Sequence, residues 1–99
     1  MKIDPAVFER CFVEFIAKTA KDNKWSQRRL AFAAFGEEPA SEVKWRAIRN
    51  EGQRLTISEA VQLLNALNLE FDSFAFRALE HYKMKRNPQK HQDQNRASG

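Results

Sequence analysis

The sequence predicts an all-α fold, a compact bundle of five short helices. In five separate segments, apolar residues recur at steps of three and four, which is the period of one helix face. Each segment is bounded by residues that start or stop helices. No stretch of useful length alternates apolar and polar residues as a half-buried strand would.

The first helix opens at Asp4-Pro5, where a carboxylate accepts from the free N–H groups of the first turn and proline is tolerated. Phe8, Cys11, Phe12, Phe15, Ile16 and Thr19 then form one stripe that fades near Asn23. Ser26 is the N-cap of a second helix, with Leu30, Ala31 and Ala34 inward, Phe32 or Phe35 beside them, and Gly36 as terminator. The third helix starts at Pro39 or at Ser41. It runs through Val43, Trp45, Ala47, Ile48 and Arg49, with Trp45 and Ile48 one turn apart on the inner side, and stops at 50–52. Thr56 followed by Glu59 is a capping-box pattern for the fourth helix. Its Ile57, Ala60, Val61, Leu63, Leu64 and Leu67 make it the most apolar segment and the expected centre of the bundle, with Asn68 at its end. The fifth begins at Asp72 or Ser73 and carries Phe74, Ala75, Ala78, Leu79 and Tyr82. Residues 1–86 make one domain. In 87–99 only Ala97 is apolar, so this segment is expected to be a disordered polar tail.

Composition excludes several classes of function. No apolar run approaches membrane-spanning length, and the first residues lack a signal-peptide pattern. The single cysteine, Cys11, lies in an apolar stripe and reads as a core thiol in a reducing, cytoplasmic compartment. Two histidines and one cysteine do not make a zinc module. Neither His81 nor His91 is placed to serve Cys11 as a base, and the adjacent Glu37 and Glu38 point apart. No catalytic residue, metal, cofactor, small-molecule ligand or membrane is expected, and no enzymatic activity. The formal charge is +4, but 1–81 holds twelve basic and twelve acidic residues, so the excess sits in 82–99. Charge segregation is therefore the relevant question, and 18–54 carries nine basic residues against five acidic.

Two consecutive short helices with a glycine turn between them suit a surface that lays one helix across a DNA backbone and presents the next to the major groove. Residues 25–69 carry Ser26-Gln27, Leu30-Ala31 and Ala34, then Trp45, Ile48 and Gly52, then Thr56, Leu63, Ala66-Leu67 and Leu69. In this order they resemble the phage-repressor or Cro-type helix-turn-helix family, which makes the expected fold a lambda-repressor-like helix-turn-helix domain. The turn before the third helix is longer than in that family, Phe35 comes between Ala34 and Gly36, and Arg49 stands where a glutamate is common. The resemblance implies a small sequence-specific regulator of double-stranded DNA, repressor-like and homodimeric. It implies backbone-phosphate contacts from Gln27, Arg28 and Arg54, and base reading by Ser41, Glu42, Lys44 and Arg46. Helix five, through Phe74, Phe76, Leu79 and Tyr82, is the expected dimer interface. The alternative is a protein-interaction module on the same scaffold, an antitoxin, antirepressor or adaptor, motivated by Glu37, Glu38 and Glu42 beside the third helix.

Overall fold

Asp4 starts the first helix as its position requires. Its Oδ1 accepts from the N–H groups of Ala6 (3.1 Å) and Val7 (3.2 Å), and Pro5 opens α1 (Pro5–Asp22). The computed structural model describes residues 2–86, and the expected tail at 87–99 lies outside them. Four more helices follow: α2 (Gln27–Phe35), α3 (Pro39–Asn50), α4 (Ile57–Ala66) and α5 (Phe71–Arg86). The all-α bundle of five short helices is what the sequence predicts.

The helix boundaries have local causes. Ser26 Oγ accepts from the Arg29 N–H (3.0 Å) at the start of α2, and the capping box of α4 is complete in both directions between Thr56 and Glu59. α3 starts at Pro39, the earlier of the two expected positions, with Glu38 as an N-cap that makes no side-chain bond. α5 starts before either of its expected positions, at Phe71, whose ring centre lies 6.0 Å from that of Phe12 on α1. α1 and α4 end alike. The residue after the cap, Lys24 (φ 68°) or Asn68 (φ 58°), turns left-handed. The next N–H then reaches back to a carbonyl of the last turn, Trp25 to Ala20 and Leu69 to Leu64, each at 2.9 Å. α3 ends in the same way, with Gly52 left-handed (φ 76°) and the Gln53 N–H reaching back to the Ala47 carbonyl at 3.2 Å, and a further bond holds this end. Arg10 of α1 donates from Nη2 to the Ile48 carbonyl at 2.7 Å, so a side chain from another helix satisfies this end.

α1 lies against α5, and α2 lies against both α3 and α4. The fully buried Ile16, Leu30, Trp45, Ile48, Leu63, Leu64 and Phe74 form one core. The phenylalanines of α1 meet α5 edge-on, Phe12 with Phe74 at 5.2 Å and Phe8 with Tyr82 at 5.7 Å. Tyr82 Oη accepts the Asp4 N–H at 3.0 Å and so fastens the start of α1 to the end of α5. His81 stacks on Phe15, and Cys11 is buried. Two expectations fail here. α4 is not central, because its Ile57 and Val61 face outward. Phe74 and Tyr82 are core residues with no exposed surface, since they fill the space between α1 and α5 and leave none for a partner.

Candidate nucleic-acid interface

The pair α2–α3 is joined by the three residues 36–38 and is fixed in place by three contacts. Trp45 is fully buried, and its indole Nε1 donates to Gln27 Oε1 at 2.8 Å. Gln27 Nε2 in turn donates to the Ala17 carbonyl at 3.0 Å. At the other end, Gly36 takes φ 118° and ψ 155°, backbone that only glycine adopts readily, and Ser41 packs near it. The third contact is Lys44, whose ammonium lies 4.5 Å from the centre of the Phe35 ring and 2.9 Å from Glu59 Oε2 on α4.

With Ser41, Trp45 and Ile48 turned inward, the opposite side of α3 follows from helical geometry. Val43 (53% exposed), Arg46 and Asn50 stand outward at steps of three and four. Arg49 lies on the flank of this face, its guanidinium 5.6 Å from the Trp45 ring. Its Nε is buried with no hydrogen-bond partner. Burial lowers the Arg49 pKa from its ordinary value, the nearby Arg46 charge lowers it further, and Glu42 opposes both. On the outside of α2, Arg29 stacks 3.8 Å from the Trp25 ring and Arg28 5.1 Å from that of Phe32. Both arginines are exposed, beside a shallow recess that also includes Glu37. Four carboxylates border the surface: Glu37 and Glu38 before α3, the half-buried Glu42, and Glu51 after it.

The expected site residues therefore divide. Arg28 and Arg46 are exposed and lie on the two helices in question. Arg54 is also exposed, but its Nε is held by both Glu9 oxygens at 2.9 and 3.1 Å. Gln27, expected at a phosphate, is half-buried and bonds within the protein through both ends of its amide. Ser41 is not a base reader. It is 5% exposed because it lies four residues before Trp45 on the same inner stripe. Lys44 points along the bundle toward Glu59, away from the outer face. Glu42 is half-buried on the Arg49 side. Of the expected dimer residues, Leu79 is half-buried and Phe76 is 64% exposed. The outward residues Val43 and Asn50 were missed, although the inward assignment of Trp45 and Ile48 already implies them.

Glu9 and Glu59 are the structural carboxylates of this region. Burial pushes the Glu9 carboxyl up, but the Leu55 N–H and the Arg54 guanidinium together outweigh it and leave the group below its ordinary range. Glu59 follows the same pattern, with burial opposed by the Thr56 N–H and by Lys44. Among the described residues no group of three or more His, Cys, Asp or Glu is placed to hold a metal ion, and no helix is long and apolar enough to cross a membrane. No family model, curated protein or solved structure matches the chain.

Proposed function

We propose that this protein binds double-stranded DNA as a small helix-turn-helix regulator, with the outer face of α3 entering the major groove. One observation carries the reading. A short helix held rigidly by Gln27, Gly36 and Lys44 turns Val43, Arg46 and Asn50 away from the bundle, uncovered by any other part of the described chain. Those side chains suit base edges: arginine pairs with guanine O6 and N7, asparagine with adenine N6 and N7, and an aliphatic group packs on the thymine methyl. Arg28 and Arg29 on α2, with Arg49 on α3, supply the phosphate contacts. An anion beside Arg49 also relieves the like charge of Arg46 that the free protein carries there.

The test is titration against duplex DNA at several salt concentrations. With four arginines facing phosphate or base, log K is expected to fall against log salt with a slope of about −3 to −4 per chain. Replacing Arg46 and Asn50 together by alanine should flatten discrimination between a preferred and a random duplex while leaving residual nonspecific binding. Lys83→Ala, on the exposed side of α5, should leave discrimination intact. An absence of binding at low salt removes the proposal. It leaves the protein-interaction reading, which the carboxylates Glu37, Glu38, Glu42 and Glu51 around α3 favour.

A further inference from the structure

The outer surface of α4 differs from that of every other helix in carrying no charge. It exposes Ile57, Ser58, Val61, Gln62 and Asn65. Its one ionised residue, Glu59, is turned inward to Lys44 and to its own cap. The other helices all expose ions: Lys18 and Asp22 on α1, Arg28 and Arg29 on α2, Arg46 on α3, and Arg77, Glu80 and Lys83 on α5. Beside the start of α4 lies an open apolar cleft of about 420 Å³ between α1, α4 and α5, with Phe8, Phe12, Leu55 and Ala75 among its lining residues. Ile57 projects from its lip at 73% exposure, Ile3 and Phe71 border it at 44% and 39%, and Val61 follows one turn along at 38%. Half of the eight exposed large apolar residues among those described thus gather at one place.

We infer that this face receives a second copy of the same chain, with Ile57 of each copy seated in the cleft of the other about a two-fold axis. Two features select that occupant. A two-fold contact lays a surface against itself, so a face of one charge sign, or a charge near the axis, meets its like, and the uncharged outer side of α4 is free of that repulsion. The same face also carries both a projecting side chain and the recess to receive one, which is the self-complementarity such a contact requires. The ionic group at the rim, Glu9 with Arg54, is closed on itself and offers no net charge to steer a charged partner. This surface is distinct from α3 and the inference does not rest on DNA binding. It moves the dimer contact from α5 to α4 and the cleft.

The experiment is sedimentation velocity on the full chain without DNA, from about 1 μM to about 500 μM, which spans weak to moderate dimer affinities. The expected result is a concentration-dependent rise from monomer toward twice the mass. Ile57→Glu should raise the dimer dissociation constant by at least about tenfold, and Val61→Lys should act in the same direction. Phe76→Glu, on the exposed side of α5, should leave it unchanged. Circular dichroism melting checks that each variant is folded, and with two independent variants on α4 the result does not depend on either alone. The inference is overturned if the wild-type chain stays monomeric throughout, which would assign the cleft to a different apolar partner. It is equally overturned if Phe76→Glu abolishes association while folded Ile57→Glu and Val61→Lys do not.

Discussion

Replacing Gln27 isolates the bonds on which the placement of α3 depends. In the native chain its amide closes two donor–acceptor pairs at once, with the indole of Trp45 and the carbonyl of Ala17. Gln27→Met keeps the length and volume of the side chain and removes both pairs. A buried donor or acceptor left without a partner costs about 1–3 kcal/mol. The Trp45 indole is fully buried, whereas Gln27 itself is half-buried, so water reaches part of the vacated position. The lower end applies to each group, about 2 kcal/mol in all. A chain of this length has about 5–15 kcal/mol of total stability, so the loss is a large fraction of it and corresponds to a fall in Tm of about 8–16 °C. Urea denaturation followed by tryptophan fluorescence measures it, with an unchanged slope and a lower midpoint expected. Arg28→Ala, the exposed neighbour on the same turn, serves as control and should stay within about 0.5 kcal/mol of wild type. If Gln27→Met also stays within that margin, the tie between α1, α2 and α3 is not what holds the third helix, and Gln27 returns to the surface as a residue free to meet phosphate.

Three further outcomes follow from the backbone and from the carboxylates. Gly36→Ala meets no close atom, since the added Cβ would lie 3.9 Å from its nearest neighbour. Backbone strain at φ 118° is therefore its main effect, and it should lower stability by about 1–3 kcal/mol in the same urea assay. Lys24→Gly should do the reverse and stabilise by about 1 kcal/mol, because Lys24 holds the left-handed position after α1 with a β-carbon that glycine lacks. For pH, Glu9 has a folded pKa below its ordinary value of 4.5. Its contribution is complete above 4.5 and disappears as pH falls through the lower folded value. Glu9→Gln should therefore be less stable than wild type at neutral pH, with the gap closing under acid. A gap independent of pH between neutral and strongly acid solution would show that the ion pair with Arg54 and the Leu55 N–H bond does not depend on the charge of Glu9.

The fold was legible because its signals are local. Asp4, Ser26, Thr56 with Glu59, Gly36 and Gly52 act within a few residues of themselves, and each does in the structure what its chemistry requires. The errors fall where a distant partner decides. α5 begins at Phe71 because a ring on α1 receives it. Ile57 and Val61 are as apolar as the residues inside, and periodicity alone does not reveal that the bundle leaves their side of α4 uncovered. Phe74 and Tyr82, expected at a dimer contact, each lie four residues from Ala78 on one buried stripe. That spacing marks a core face as readily as an interface, and only the phenylalanines of α1 distinguish the two.

The third helix shows how far residue spacing goes where resemblance misleads. Trp45 and Ile48, read as inward from their spacing, fix the rotation of the whole segment. Ser41 lies four residues before Trp45 and seven before Ile48, so it shares their face, and it is buried. Val43, Arg46 and Asn50 lie on the far side and are exposed. Two of the four residues expected at base edges, Ser41 and Lys44, thus face the protein, one into the core and one onto Phe35 and Glu59. No pattern within the helix predicts the second of these, because Glu59 belongs to another helix and its own capping box had already accounted for it. The same ion pair explains why a basic count over 18–54 overstates the charge available to a ligand. Lys18, Lys44 and Arg54 are each paired with a carboxylate. What remains outward on α2 and α3 is Arg28, Arg29 and Arg46, with Arg49 partly exposed beside them. On the proposed reading, the phosphate contacts of α2 and α3 are these arginines, set against the neighbouring Glu37, Glu38, Glu42 and Glu51, and the outward side chains of α3 contribute most of the discrimination.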